Sequence, residues 1–272
     1  MGKKRLDVML VEAGLFPTRS AAQAAIMEGR VRVNDSVVTK CGTLVSPSDR
    51  LSVERPARQY VSRGGIKLEG ALREFGVSVA GKVCLDAGSS TGGFVDCLLQ
   101  HGAAKVFAVD VGYGQLAWKL RQDPRVVAIE RTNVRYLTID QLGTVVDLAT
   151  LDVSFISLTK VWPAVKGLLK PGGETLSLVK PQFEAGPSKV GKRGVVKDPE
   201  VHLEVLVNLI GTGVDLGFEV EGVCASPIKG PEGNLEFWLY LKVPPAGLGA
   251  STENIHTWLE KAREVVRAAH ER

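Results

Sequence analysis

Val83–Cys84–Leu85–Asp86–Ala87–Gly88–Ser89–Ser90–Thr91–Gly92–Gly93–Phe94 is an apolar run that enters a glycine-rich turn and reopens as a helix to about Gln100. A second apolar run, Lys105–Val109, follows after about 20 residues and ends in Asp110. Strand, glycine turn, helix, strand is the opening of an open α/β nucleotide fold. Glycines let the backbone approach a ligand, and an acid after the second strand can accept hydrogen bonds from ribose hydroxyls. The layout implies a ribose-bearing cofactor. A plain tight turn with no ligand is the alternative, and Asp110 at the ribose position weighs against it.

The loop narrows the choice of cofactor. A dinucleotide fingerprint needs G-x-G-x-x-G with a pyrophosphate on the helix N-terminus. Here the spacing is G-x-x-x-G-G, with Ser89, Ser90 and Thr91 inside. A G-x-x-x-x-G-K-[ST] phosphate loop is also missing. With Asp86 near its start, the loop resembles the S-adenosylmethionine site of class I methyltransferases. The resemblance implies a cofactor set of Asp86, Gly88, Ser89, Ser90, Thr91, Gly92, Gly93 and Asp110. Asn133, after the strand Val126–Glu130, and Val134 beside it are candidates for the adenine end.

The chain has 272 residues, enough for one large domain or two smaller ones, and 44% are hydrophobic, ample for a core. Cys41, Cys84, Cys97 and Cys224 are scattered, which suggests neither a disulfide framework nor a metal site, and fits a reducing cytoplasm. The basic start Met1–Gly2–Lys3–Lys4–Arg5 is not followed by the apolar stretch and cleavage site of a secretion signal. No run approaches the roughly 18 apolar residues of a membrane span. The expectation is a cytoplasmic protein without metal or membrane partner.

The net charge of +4 lies wholly in residues 1–60, which hold ten Lys/Arg against six acids; the rest carries 24 of each sign. An excess so placed suggests an anionic partner for that segment, though a solvated basic face would look similar. Residues 1–57 also show a compact pattern. Leu6–Val11 begins a helix, and Thr18 is an N-cap for a second, with Ala21, Ala24, Ala25 and Ile26, that stops at Gly29. Short strands Val31–Val33 and Val37–Val38 flank the turn signal Asn34–Asp35, and Leu51–Val53 is another. Arg5–Leu6–Asp7, Thr18–Arg19–Ser20, Ile26 and Gly29–Arg30–Val31–Arg32–Val33–Asn34 resemble the alpha-L RNA-binding fold. That resemblance implies RNA contacts by Arg5, Arg19, Arg30 and Arg32.

A polar linker, 58–65, contains Arg63 and ends in Gly64–Gly65; a helix from Ile66 to about Phe75 follows, with Lys67 off its apolar face. The remaining domain, 66–272, alternates strands and helices, which implies a mostly parallel sheet with helices on both faces. Strands are expected near 83–86, 105–110, 126–130, 145–151, 175–180, 218–225 and 235–243, the last two as an antiparallel hairpin. Helices are expected near 94–101, 114–121, 138–142, 159–168, 199–216 and 252–270. The fold class is α/β, a Rossmann-like class I methyltransferase with a seven-stranded sheet and a small N-terminal alpha-L RNA-binding domain.

In such sheets ligands bind at the carboxyl ends of the strands. Asp152 follows the strand Val145–Leu151, and Lys180 closes Thr175–Val179 before Pro181. Glu236 lies early in the last strand, and Lys67 comes from the linker helix. Each alone could be a surface ion pair. The target atom is constrained by what stands beside them. Exocyclic amine methylation typically uses [D/N]-P-P-[F/Y], and Asp152–Val153–Ser154–Phe155 has no proline. Pyrimidine C5 methylation uses a cysteine, often after proline, and no cysteine here follows one. A hydroxyl target needs a base. A lysine near a sulfonium and a second lysine is expected to lose its proton more readily.

Lys67–Asp152–Lys180–Glu236 resembles the K-D-K-E tetrad of ribose 2′-O-methyltransferases. Tyr60–Val61–Ser62–Arg63–Gly64–Gly65, Asp86 to Phe94, Asp152–Val153–Ser154–Phe155–Ile156, Lys180–Pro181–Gln182–Phe183–Glu184 and Gly194–Val195–Val196–Lys197–Asp198–Pro199 resemble the TlyA family. Together they span nearly the whole chain. Ser89, where alanine is usual, and Tyr60, where some members have tryptophan, are departures. The resemblance implies an S-adenosylmethionine-dependent enzyme methylating the ribose 2′-hydroxyl of cytidine in ribosomal RNA, in one or both subunits. It makes the tetrad catalytic, with Lys180 as base. Ser188–Gly194, basic beyond Lys180, reads as a plain solvated loop or as an RNA-contacting lid bearing Lys189, Lys192 and Arg193. The competing functions are a non-catalytic RNA-binding or ribosome-assembly factor, a membrane-active hemolysin (a label the family also carries) and, remotely, an NAD-linked oxidoreductase.

Overall fold

The computed structural model describes residues 3–53, 60–191, 194–249 and 255–271. The chain forms two compact units, Met1–Gln59 and Tyr60–Arg272.

In the first unit, β1 (Lys4–Arg5) leads into α1 (Leu6–Glu12) and α2 (Arg19–Met27). β2 (Val31–Val33), β3 (Ser36–Val37), β4 (Leu44–Val45) and β5 (Leu51–Val53) follow. Thr18 caps α2 as expected, its hydroxyl accepting from the Ala21 amide at 3.2 Å. Ala22, Ala25 and Ile26 share the buried face of α2, and the small alanines let it pack with Leu6 and Leu10 of α1. Asn34 and Asp35 both take positive φ, 50° and 69°, the turn that closes the β2–β3 hairpin with Val33 opposite Ser36. The sheets run β3-β2-β5 and β1-β4.

The second unit begins with α3 (Gly64–Phe75), β6 (Val83–Ala87), α4 (Gly93–Gln100), β7 (Lys105–Val109), α5 (Trp118–Arg121) and β8 (Val126–Ile129). It continues with α6 (Ile139–Leu142), β9 (Val146–Leu151), α7 (Trp162–Leu168), β10 (Leu169–Val179) and α8 (Pro181–Glu184). It ends with α9 (Pro199–Asp215), β11 (Glu219–Ala225), β12 (Phe237–Lys242) and α10 (Ile255–His270). The sheet has seven strands in the order β11-β12-β10-β9-β6-β7-β8. β10, β9, β6, β7 and β8 are parallel, and β12 runs antiparallel between β10 and β11. Alternation divides the side chains between two cores. Leu85, Phe107, Leu239 and Leu241 enter one with Trp162; Cys84, Val106 and Trp238 enter the other with Leu98.

From β6 the chain winds to β7 and β8 on one side, then returns to β9 on the other. The crevice for a ligand therefore opens beyond the ends of β6 and β9. Among the described residues no helix is long and apolar enough to cross a membrane.

β1, β4 and α8 have no counterpart in the sequence expectation, and three expected elements differ in extent. The 114–121 helix shrinks to Trp118–Arg121, because Gly114 takes φ +73° and Ala117 has ψ 138°, both outside the helical region. The 159–168 helix is a 3₁₀ turn, Leu158–Lys160, followed by α7. β10 starts at Leu169, well before 175. The 58–65 stretch is also divided. Residues from Tyr60 belong to the second unit, where the Val61 amide donates to Asp96 at 2.8 Å and α3 starts at Gly64.

Candidate functional site

The loop between β6 and α4 is shaped by glycines whose conformation and spacing both matter. Gly88 has φ +85°, and a Cβ there would lie 2.6 Å from the Asp152 carbonyl oxygen. Gly92 has φ +96° and backs onto Leu116 and Leu120; it serves the turn and lines neither cavity described below. Asp110 pins the loop from β7, accepting from the Ser90 amide at 2.8 Å and the Gly112 amide at 2.7 Å.

Two cavities meet at this loop. One, about 350 Å³, is lined by Ser62, Lys67, Asp86, Ser89, Thr91 and Gly93 among others. The second, about 520 Å³, is lined by Asp110, Asn133, Val134, Val153, Phe155 and their neighbours. Gly88, Ser90 and Asp152 belong to both. The expected cofactor residues other than Gly92 thus line one or both of two adjoining cavities. Asn133 uses its side-chain oxygen to cap the Arg135 amide at 3.1 Å, which leaves its amide NH₂ for a ligand.

Asp86 is 1% exposed. One carboxylate oxygen accepts from the Thr150 hydroxyl at 2.8 Å; the other is buried with no hydrogen-bond partner. Burial raises its pKa to about 8, with Thr150 and the Val95 backbone amide opposing and Asp152 and Asp110 adding to the rise. A buried acceptor facing a cavity is suited to a cationic group of a ligand.

The four tetrad residues form two ion pairs. Lys67, in the first turn of α3, places its Nζ 2.6 Å from Glu236 Oε2, with side chains 9% and 1% exposed. Glu236 directly precedes β12, and Gly230 lies so close to it that a Cβ there would stand 2.5 Å from Oε1. Burial pushes the Glu236 carboxyl up, while Lys67 and Lys180 pull it back. Lys180 leaves β10 because Pro181, the first residue of α8, cannot continue the ladder. Its Nζ lies 2.6 Å from Asp152 Oδ1 and donates to the Ser154 hydroxyl at 2.9 Å. Lys67 and Asp152 both line the first cavity, so the pairs converge on it.

Sequence reasoning missed Ser154 and Phe155, although both stand in the motif quoted for Asp152. Phe155 takes φ +61°, is 90% exposed and lies 4.9 Å from the Phe183 ring, centroid to centroid. A bulky residue held in the left-handed region with its ring in solvent is strained where water gives nothing back. Only backbone geometry reveals it. Lys229 and Pro231 also line the first cavity, from a loop whose lining role has no local sequence signal.

The expected RNA cations prove more engaged than a charge count suggests. Arg63 lines the first cavity and donates to the Lys229 carbonyl at 3.2 Å. Lys189 is ion-paired with Glu204 of α9, at 2.6 Å to Oε1. Lys192 and Arg193 lie outside the described residues. In the first unit, Arg5 and Arg19 share Asp7, Arg30 pairs with Glu28 at 2.6 Å, and Arg32 donates to the Asp35 carbonyl.

Comparison with known proteins agrees with this geometry. Residues 60–243 match the FtsJ-like methyltransferase family, and residues 4–51 match the S4 domain. A Bacillus subtilis protein described as a candidate rRNA methyltransferase, YqxC, is 50% identical over 98% of this chain and 94% of its own. The 16S/23S rRNA (cytidine-2′-O)-methyltransferase TlyA of Mycobacterium tuberculosis is 48% identical over 88% of this chain and 90% of its own. A solved structure from Streptococcus thermophilus, described as a candidate hemolysin, aligns over the full length of both chains with a TM-score of 0.70 and 40% identity. The chain belongs to the FtsJ-like methyltransferase family, in the TlyA lineage that carries an S4 domain ahead of the methyltransferase unit.

Proposed function

We propose that this enzyme methylates the ribose 2′-hydroxyl of cytidine in ribosomal RNA of both subunits, using S-adenosylmethionine, in the cytoplasm where ribosomes assemble. The observation that carries the reading is the convergence of Lys67–Glu236 and Lys180–Asp152 on a crevice with a glycine loop and a ribose-position acid. The residues fit the cofactor. The partnerless oxygen of Asp86 suits its ammonium group, and Gly88, pressed against the Asp152 carbonyl, lines both cavities. Asp86, Gly88, Ser89, Ser90, Thr91 and Gly93 would hold the methionine end, and Asp110, Asn133 and Val134 the nucleoside end. When bound, S-adenosylmethionine supplies an electrophilic methyl group on a sulfonium sulfur.

Lys180 first loses its ammonium proton to solvent. Its neutral Nζ then accepts the proton of the ribose hydroxyl as that oxygen bonds to the methyl carbon and the carbon–sulfur bond breaks. Asp152 and Ser154 aim that amine, and its hydrogen bond to Ser154 leaves room for a hydroxyl partner. Lys67, locked by Glu236, orients the hydroxyl oxygen for displacement, a step that depends on alignment. Phe155, backed by Phe183, offers an aromatic face for a base turned out of its stack. The S4 unit supplies phosphate contacts that position the substrate without reading its sequence.

The test is methylation of 16S and 23S rRNA by the full chain with labelled cofactor, followed by mapping of 2′-O-methyl groups by mass spectrometry. Label on cytidine ribose in both RNAs is expected. Label on bases, or none, would sink the proposal. The lytic alternative draws on the names of a relative and of solved neighbours, and no feature of the site supports it.

A further inference from the structure

We propose that Asp7 is the positioning residue of the RNA-binding face of the S4 unit: one buried carboxylate fixes Arg5 and Arg19 as a two-guanidinium clamp for a backbone phosphate. The inference rests on the reading of this unit as RNA-binding. Asp7 lies in the first turn of α1, and its side chain is fully buried, whereas those of Arg5 and Arg19 are 47% and 55% exposed. Arg5 grips the carboxylate with two donors, Nε to Oδ1 and Nη2 to Oδ2, each at 3.0 Å. Arg19 Nε donates to Oδ2 at 2.9 Å. Gln23, one helical turn beyond Arg19 on α2, donates to the same oxygen at 2.7 Å. Gly42 lies against the Arg5 guanidinium, where a Cβ would be 3.3 Å from Nη1.

Two cations around one anion leave a net positive charge at a fixed place. The carboxylate takes Arg19 by Nε, so both of its Nη groups have no protein acceptor among the described residues. A guanidinium presents its donors in a planar fork that matches phosphate oxygens, but only when its plane is held. Here a buried carboxylate holds both planes. Its four accepted hydrogen bonds bring β1, α1 and α2 to one point. An acid inside a basic face is therefore an organiser of binding, not a charge working against it.

Charge alone and positioning predict opposite signs. Asp7→Asn makes the face more basic by one unit. If net charge governs affinity, the variant binds RNA as tightly as the native chain or more so, with a steeper salt dependence. If Asp7 positions the clamp, the variant binds about tenfold more weakly or worse, with a shallower salt dependence. The measurement is equilibrium binding of the full chain to in vitro transcribed 23S rRNA across a salt series, with thermal melting to follow the fold. Because Asp7→Asn removes a buried partner, Arg5→Lys/Arg19→Lys provides a second test. It keeps both charges on half-exposed side chains and loses the forks, so a loss of about tenfold is again expected. Native affinity in either variant would overturn the clamp. Native affinity in Arg5→Ala/Arg19→Ala would instead overturn the reading that this face binds RNA.

Discussion

Binding of S-adenosylmethionine should release a proton from Asp86. The carboxyl is buried, has one partnerless oxygen and titrates at about 8 in the free protein. At pH 7 it is therefore about 90% protonated, whereas an ammonium group against the free oxygen would hold it ionised. Counting the small uptake by the ligand's α-amino group, binding at pH 7 should release about 0.8 proton, and at pH 9 it should take up about 0.8. Affinity should peak near pH 8, because below it binding must remove the Asp86 proton and above it the ligand's α-amino group, which titrates at about 8, must gain one. Calorimetric titration in two buffers of different ionisation enthalpy reads the released proton directly as the difference in heat. Asp86→Asn should remove the release and the acid-side dependence, leaving the fall above about pH 8. Equal heats for the native chain in both buffers at pH 7, or the same release in the variant, would refute the assignment. Stability carries the matching sign. The folded carboxyl holds a proton that the unfolded one has lost above about 4, so Asp86 makes the free protein less stable as pH rises from there to about 8.

Lys180→Met keeps most of the side-chain volume and removes the amine; single-turnover methylation should slow by about 10²–10⁴ with cofactor binding retained, and a native rate would exclude the base role. Phe155→Gly should raise the melting temperature by relieving the positive φ, while weakening RNA capture by about 1–3 kcal/mol through the lost ring; falling stability would mark the ring as structural instead. Lys67→Met should destabilise the fold by about 3–5 kcal/mol, because Glu236 is left buried without its cation, and Lys67→Met/Glu236→Leu should recover stability without activity. Recovery of methylation in the double variant would remove the pair from catalysis. Arg5 above all, with Gln23 and Arg19, holds the Asp7 carboxyl below the usual carboxylate range against the effect of burial. Its stabilisation of the S4 unit is present above about pH 4 and lost as pH falls below that, a loss that acid unfolding should show in the native chain and not in Asp7→Asn.

What could be read from the sequence was whatever is local. The run from Val83 to Phe94 announced strand, turn and helix because the glycines and the change of hydrophobic period are neighbours in the chain. The seven strands and the positions of Asp110, Asp152 and Lys180 beyond strand ends followed from the same alternation. Pairing across the fold had no such signal. Nothing near Lys67 in sequence points to Glu236, and nothing near Lys189 points to Glu204. Arg5 and Arg19 were visible as cations, but that both close on Asp7 depends on how α1 packs against α2. Phe155 shows the limit most clearly, since its exposure and positive φ are properties of the folded backbone.

The two lysines are not interchangeable. Lys67 is sealed against a carboxylate that is itself pushed toward its neutral form by burial. A sealed pair is costly, because desolvation removes much of what the attraction returns. A protein that only held RNA would be as stable, or more so, with apolar side chains in those places. The pair makes sense as a fixed point that sets where a substrate oxygen comes to rest. Lys180 has a different setting. Its partners are a carboxylate on the cavity wall and the hydroxyl of Ser154, to which it donates; as a neutral amine it would accept from a ribose hydroxyl instead. On the proposed mechanism the amine that exchanges partners takes the proton, while the amine held by Glu236 fixes the position from which it is taken. That division favours an enzyme over a vestigial binding module.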